Sequence, residues 1–419
     1  MTSRPEPSDL LPARTAVIVF LAFALAYFLS ALLRAITATL SPTLSLEMSL
    51  SAGDLGLLAG GYFIGFALTQ LPLGNWLDRH GPRKVVLGFL TVAVAGCAAF
   101  ALATSFSGLL AARVLTGMGV SACLMAPLTG YRRWLTPAAQ MRANSWMLMT
   151  GSLGMVASTL PVQWLMPLTG WRGLFWLLGG LILVSMAVLA ATVPRWRTAS
   201  PPRAEAAPPA APGYGFIWRH PYFRQMLFIG IFNYGGMVAV QTLWAGPWMV
   251  NVAGYTPQAA AAGLFGINVS MLCTFWLWGM VNPHLARRGL TPERLIAWGL
   301  PLSFVVLACI VWLGAGAGWV LWALFCVSST FVSLSQPAVA LALPADAAGR
   351  ALSAYNLAIF GGVFIVQWGI GLLIEALTVL GWSEPTRYRG AVAIFGLCCV
   401  WAYQDFWRAW RRSIARPAG

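Results

Sequence analysis

Two arginines stand where charge is costly. Arg34 lies in "YFLSALLRAITATLSP" and Arg113 in "LLAARVLTGMGV", each inside a long apolar run. A guanidinium in such a place can bind an anion through its planar fork of donors, or bond backbone carbonyls and lock helices together. The eleven acids all avoid the middle of an apolar run; Asp54 and Glu375 come nearest, at the ends of two runs. The three histidines lie in or beside polar stretches. The seven cysteines are scattered through apolar runs and read as small buried residues rather than a disulfide framework or a zinc site. No nucleophile, metal cluster or phosphate loop stands out, so an enzyme, a metal or a cofactor has no support.

The elements that must position these arginines follow from composition. The chain of 419 residues is 59% hydrophobic and 9% charged, with a mean hydropathy of +0.75. A soluble domain carries about 25% charged residues. This chain therefore belongs in a bilayer, and its runs are continuously apolar rather than alternating, which predicts helices rather than a barrel. Charged residues and Gly/Pro punctuation divide the sequence into twelve predicted spans, an all-α membrane protein. The expected divisions are a tail at 1–14, a six-helix bundle at 15–193, a Pro- and Ala-rich basic linker at 194–222, a second six-helix bundle at 223–410 and a tail at 411–419.

The net charge of +15 is spread in a telling way. With both termini in the cytoplasm, 21 of the 26 basic residues fall in cytoplasmic segments and only Arg172, Arg387 and Arg389 fall outside. This is the positive-inside pattern of a multi-pass protein of a cytoplasmic membrane, and it removes nucleic acid as a partner. A single lysine beside 25 arginines hints at a GC-rich bacterial genome. The halves also repeat. Arg142 and Arg350 are 208 positions apart, and Pro127 and Pro337 are 210 apart in matching spans. Two similar bundles joined by a long linker suggest a rocker about a central site.

The stretch "GNWLDRHGPRK", between the second and third spans, concentrates charge in a chain that has little. Its Gly74, Asp78, Arg79, Gly81, Arg83 and Lys84 resemble the signature loop of the major facilitator superfamily. "RVLTGMG" at 113–119 resembles the fourth-helix motif of the same superfamily. The resemblance covers essentially the whole chain and implies two pseudo-symmetric six-helix bundles and transport by alternating access. It implies that Gly74 lets helices approach closely. Asp78 would pair with basic residues and a helix N-terminus to latch the cytoplasmic side in the outward-open state. The counterpart in the second half, "GMVNPHLARRG", lacks the acid, so the latch is expected in the first half only.

The repeat also selects a site. Tyr27 to Arg34 and Tyr234 to Gln241 are both seven residues, each pair offset by 207. Arg34 and Gln241 are therefore expected to face a shared cavity, with Tyr27, Tyr234, Trp244, Gln367 and Asn356 as further substrate-binding residues. The segment around Arg34 resembles that of organophosphate carriers of the superfamily, which place a second arginine where this chain has Gln241. One arginine plus one amide suits a carboxylate better than a phosphate dianion. Arg113, Asp54 and Glu375 are the coupling candidates, with a proton as one possible coupling ion. The expected partners are a small-molecule substrate and lipid, and the expected state is a monomer. A proton-driven exporter of amphipathic compounds is the alternative; a receptor that binds a solute without moving it is the alternative of another class.

Overall fold

The computed structural model describes residues 10–196, 214–344 and 347–415, so the expected tails and most of the linker lie outside the described residues. The described chain is helical almost throughout, and no strand occurs in it. Ten helices are long and apolar enough to cross a membrane, and Ala52–Leu68 is a shorter apolar one. Two glycines complete the count. Gly81 (φ 78°) and Gly170 (φ 61°) take left-handed or extended values that a helix cannot hold, so the residues before each belong to the preceding helix.

Twelve helices result. They are α1 (Ala13–Glu47), α2 (52–80), α3 (82–102), α4 (Phe106–Trp134), α5 (137–169) and α6 (171–192) in the first half. The second half holds α7 (Pro221–Asn251), α8 (Pro257–Arg287), α9 (Pro292–Gly316), α10 (Trp319–Ala342), α11 (Ala348–Val379) and α12 (Glu384–Ala415). A short helix, Tyr214–Arg219, precedes α7. Many outward positions carry large apolar side chains, such as Trp312 (78% exposed) and Leu397 (69%). A soluble protein could not show so much apolar surface; a lipid-facing one must.

Interruptions in the helices coincide. Thr69 breaks α2 with a turn, and its hydroxyl donates to the Phe66 carbonyl at 2.8 Å while lying 2.8 Å from Ser121 Oγ, where α4 has its own turn. Ser121 Oγ in turn donates to the Met118 carbonyl. The freed backbone groups of both helices are thus bonded by small hydroxyls, as an apolar setting demands. Two π-helical turns, Ile229–Tyr234 and Val240–Trp244, interrupt α7. Such turns shift side chains around the axis and often occur near functional sites.

The three basic residues outside the predominant charge pattern each have a local use. Arg172 pairs with Glu47, whose other oxygen accepts from Trp171 Nε1 at 2.6 Å. Arg387 pairs with Glu384 and donates to Thr378. Arg389 donates to the Val311 and Trp312 carbonyls at the end of α9. The expectation that all cysteines are buried is corrected at Cys273 and Cys309, which are exposed on α8 and α9. Their apolar neighbours in sequence are lipid-facing rather than internal.

Candidate functional site

Arg34 sits on α1, which is packed on by α5 within its own half and by the 240–244 turn of α7 from the other. Small residues let this packing close. At Gly151 of α5 a side chain would meet the Tyr27 ring at 2.5 Å, and at Gly117 it would run into the Tyr62 backbone. The guanidinium interacts with the hydroxyls of Tyr62 and Tyr27, and its carbon lies 5.8 Å from the centre of the Phe66 ring. Tyr62 donates to the Ser30 carbonyl at 3.2 Å, which leaves its oxygen to accept from the arginine. Tyr234, from the second half, shares the electrostatic surroundings of Tyr27 and Arg34. Among the described residues no carboxylate enters the electrostatic surroundings of Arg34, and its Nε is buried without a hydrogen-bond partner.

Arg113 does different work. It is 1% exposed, its Nη1 donates to the Leu33 carbonyl at 3.0 Å, and its carbon lies 5.1 Å from the Tyr62 ring centre. It thus supports α1 at the residue beside Arg34. Its remaining nitrogens, Nε and Nη2, have no hydrogen-bond partner.

The amides of the second half are taken up by one another. Gln241 donates to Asn268 at 3.0 Å, and Asn268 donates to the Leu264 carbonyl. Gln367 Nε2 donates to Thr242 at 3.0 Å and its backbone carbonyl accepts from Trp244 Nε1 at 3.1 Å, while its side-chain Oε1 is buried without a hydrogen-bond partner. Asn356 accepts from Gln336. The structure places Tyr27 and Tyr234 in the electrostatic surroundings of Arg34. It turns Gln241 toward α8 instead, and commits Gln367, Trp244 and Asn356 to bridges between helices.

The signature loop is exposed at its start and covered at its end. Gly74 and Asp78 are exposed, and a side chain at Gly74 would meet open space within 4 Å. The close approach expected at Gly74 is absent here. Among the described residues Asp78 has no ion pair. Arg83 donates to the Ala190 carbonyl, and the Trp196 ring covers Gly81. The glycines that bring halves together lie at the other end of α2. A side chain at Gly53 would fall 2.6 Å from Glu375 Oε1, and one at Gly60 would fall 2.8 Å from the Phe364 ring. Of the coupling candidates, Asp54 closes a capping box with Ser51, and Glu375 accepts from Gly53 N at 2.9 Å.

Sequence reasoning missed Phe66 and Phe360. Their rings meet at 4.6 Å across the two halves beside Arg34. Nothing local distinguishes these phenylalanines from the other twenty.

A chain of twelve apolar helices in two halves, with Arg34 between them, has the build of a membrane transporter, and its family is one of transporters. It belongs to the Major Facilitator Superfamily, whose sequence profile matches residues 23–367. Among known proteins it is 24% identical over 275 residues to the 3-(3-hydroxy-phenyl)propionate transporter of Escherichia coli K12, covering 62% of this chain and 60% of that one. It is 30% identical over 135 residues to a probable chloroplastic anion transporter of Arabidopsis thaliana, covering 32% of this chain and 26% of that one. The match thus spans less than two thirds of either relative. Among solved structures, a bacterial homologue of the human lysosomal transporter Spinster, inward-facing and unoccupied, superposes with a TM-score of 0.77. It is 16% identical, and the match covers 97% of this chain and all of that one; the likeness is one of fold.

Proposed function

We propose that this protein is a secondary carrier of small organic anions with a single carboxylate, worked by rocking of its two halves across a bacterial cytoplasmic membrane. The observation that carries the reading is Arg34. A cation at this depth without an acid is expensive to keep. An incoming carboxylate supplies the missing partner through paired charge-assisted hydrogen bonds, and the Tyr27 hydroxyl stands ready to orient it. Phe66 and Phe360 add an aromatic wall from both halves, which favours a ring-bearing acid. The printed names of the relatives, one for an aromatic acid and one for an anion, point the same way. The excess of basic residues on the side of the termini supports placing both termini in the cytoplasm. The exposed Gly74 and Asp78 fit a state in which the cytoplasmic latch is released.

The test is counterflow into proteoliposomes with benzoate, hydroxybenzoates, phenylpropionates, sugar acids, phosphate esters and lipophilic cations. Exchange of aromatic or aliphatic monocarboxylates, lost in Arg34→Gln and kept at lower affinity in Arg34→Lys, is the expected result. Transport of lipophilic cations with Arg34→Gln unaffected would overturn it in favour of an exporter.

A further inference from the structure

At the end of the molecule away from the termini, a cavity of about 690 Å3 opens between the halves. The volume suits a small organic ligand, since such sites span roughly 300–1,000 Å3. The walls are mostly apolar: Pro42 and Leu46 come from α1, Pro247 and Val250 from α7, and Ile374 from α11. The charged residues that line it are Glu375, Glu384 and Arg387. Arg387 is taken up by Glu384 at 3.5 Å and by Thr378 Oγ1 at 2.8 Å. Glu375 has no cation among the described residues. One of its oxygens accepts from the Gly53 backbone N–H at 2.9 Å, at the N-terminal end of α2. A helix end supplies only about half a positive charge, and Asp54, in its capping box with Ser51, draws on the same end. The cavity therefore keeps an excess of negative charge beside apolar walls.

We propose that this cavity is a second binding site, separate from Arg34, for an amphipathic organic monocation: an amine or quaternary ammonium with an apolar body. The head group lies against the Glu375 carboxylate, which has a second oxygen to offer it. The body lies against the prolines and aliphatic side chains of α1, α7 and α11. Neutral polar groups at the cavity are already engaged and add little. Ser41 donates to the Ala38 carbonyl at 2.9 Å, and Asn251 donates to the Tyr388 hydroxyl at 2.7 Å. A ligand recognised by many hydroxyls, such as a sugar, therefore finds few free partners here, whereas charge and apolar contact remain on offer. Arg34 repels the same cation, so the two sites select ligands of opposite sign. The proposal stands whatever anion Arg34 holds.

The test is calorimetric titration of the full-length protein in nanodiscs of zwitterionic lipid. The probes are benzyltributylammonium, whose charge is fixed, dibenzyl ether, which is neutral, and naphthalene-2-sulfonate, which is an anion. The cation should bind saturably and about tenfold tighter than either other probe, the effect of one charge pair in a partly screened site. Glu375→Gln keeps an oxygen for the Gly53 N–H and should weaken the cation about tenfold, but the ether by less than about twofold. Val379→Arg adds a positive charge at an exposed rim position (89%) and leaves Glu375 in place. It should weaken the cation about fivefold, and less so at high salt. Arg34→Gln should leave the cation's affinity within about twofold of wild type. Equal binding of the cation and the ether, tighter binding of the sulfonate, or wild-type affinity in Glu375→Gln would overturn the proposal. Loss of the cation in Arg34→Gln would overturn it too, by placing the cation in the central cavity. Because no carboxylate is present, failure of the anion reading leaves this result untouched.

Discussion

The two halves share a repeat and divide the chemistry. The first half holds a half-buried Arg34 and a fully buried Arg113 against rings and a backbone carbonyl. The second buries Gln241, Asn268, Gln367 and Asn356, and ties them to side chains and carbonyls of its own helices. At the pseudo-equivalent positions Arg34 and Gln241, the first is a cation short of a counter-ion and the second is one end of a bridge from α7 to α8. The difference teaches that an internal repeat can preserve backbone placement while assigning recognition to one copy and rigidity to the other. An amide in an apolar setting finds a neutral partner at little cost, whereas a guanidinium without an acid keeps its demand until a ligand meets it.

The division of labour can be broken by measurement. Arg34→Gln should lower transport efficiency by about 100-fold or more, since about 3 kcal/mol of charge-assisted bonding is lost. Arg34→Lys should lose about tenfold, chiefly in KM, because a point charge replaces a two-donor fork. Equal losses in both variants would mean that the guanidinium positions α1 rather than binding the solute. Next comes Arg113→Met. Turnover should fall about tenfold as α1 loses its tie at Leu33. Thermal stability should move by less than about 1 kcal/mol, because the variant also removes buried nitrogens that have no partners. Severe unfolding instead would make Arg113 a packing residue.

Smaller effects test the second half. Gln241→Leu and Asn268→Leu should each change transport by less than about threefold, and a double-mutant cycle on unfolding should return about 0.6 kcal/mol of coupling. A 100-fold loss of transport in Gln241→Leu alone would place that amide on the solute and erase the contrast with Arg34. The smallest effect belongs to Asp78→Asn. Its side chain is exposed and unpaired in this conformation, so the melting temperature should shift by no more than about 0.5 kcal/mol equivalent. Transport should suffer more, because the variant would weaken the opposite state in which the latch engages.

The sequence carried much of this. Hydropathy and charge spacing gave twelve helices, and the offset of 207 between Tyr27 and Tyr234 placed two tyrosines that do share the surroundings of Arg34. The same offset misled at Gln241, because the repeat fixes where a side chain starts but not which neighbour its amide reaches. Gly74 was legible as part of a signature and not as a contact: a side chain there would meet nothing within 4 Å. Glu375 stood out as an acid at a helix end; that it caps the opposite half could not be read, because Gly53 is 322 positions away.

Class, helix count and the segregation of basic residues were determined by the sequence alone, because solvation by lipid is a local demand that each run of about 20 residues must meet for itself. Which polar side chain reaches a side-chain partner on another helix was decided by tertiary structure. Arg34, Gln241 and Gln367 look alike along the chain, as polar residues in apolar helices. Only the arrival of Asn268 and Thr242 from within the second half, and of Tyr27, Tyr62 and Phe66 around Arg34, separates two bridges from a cation without an acid.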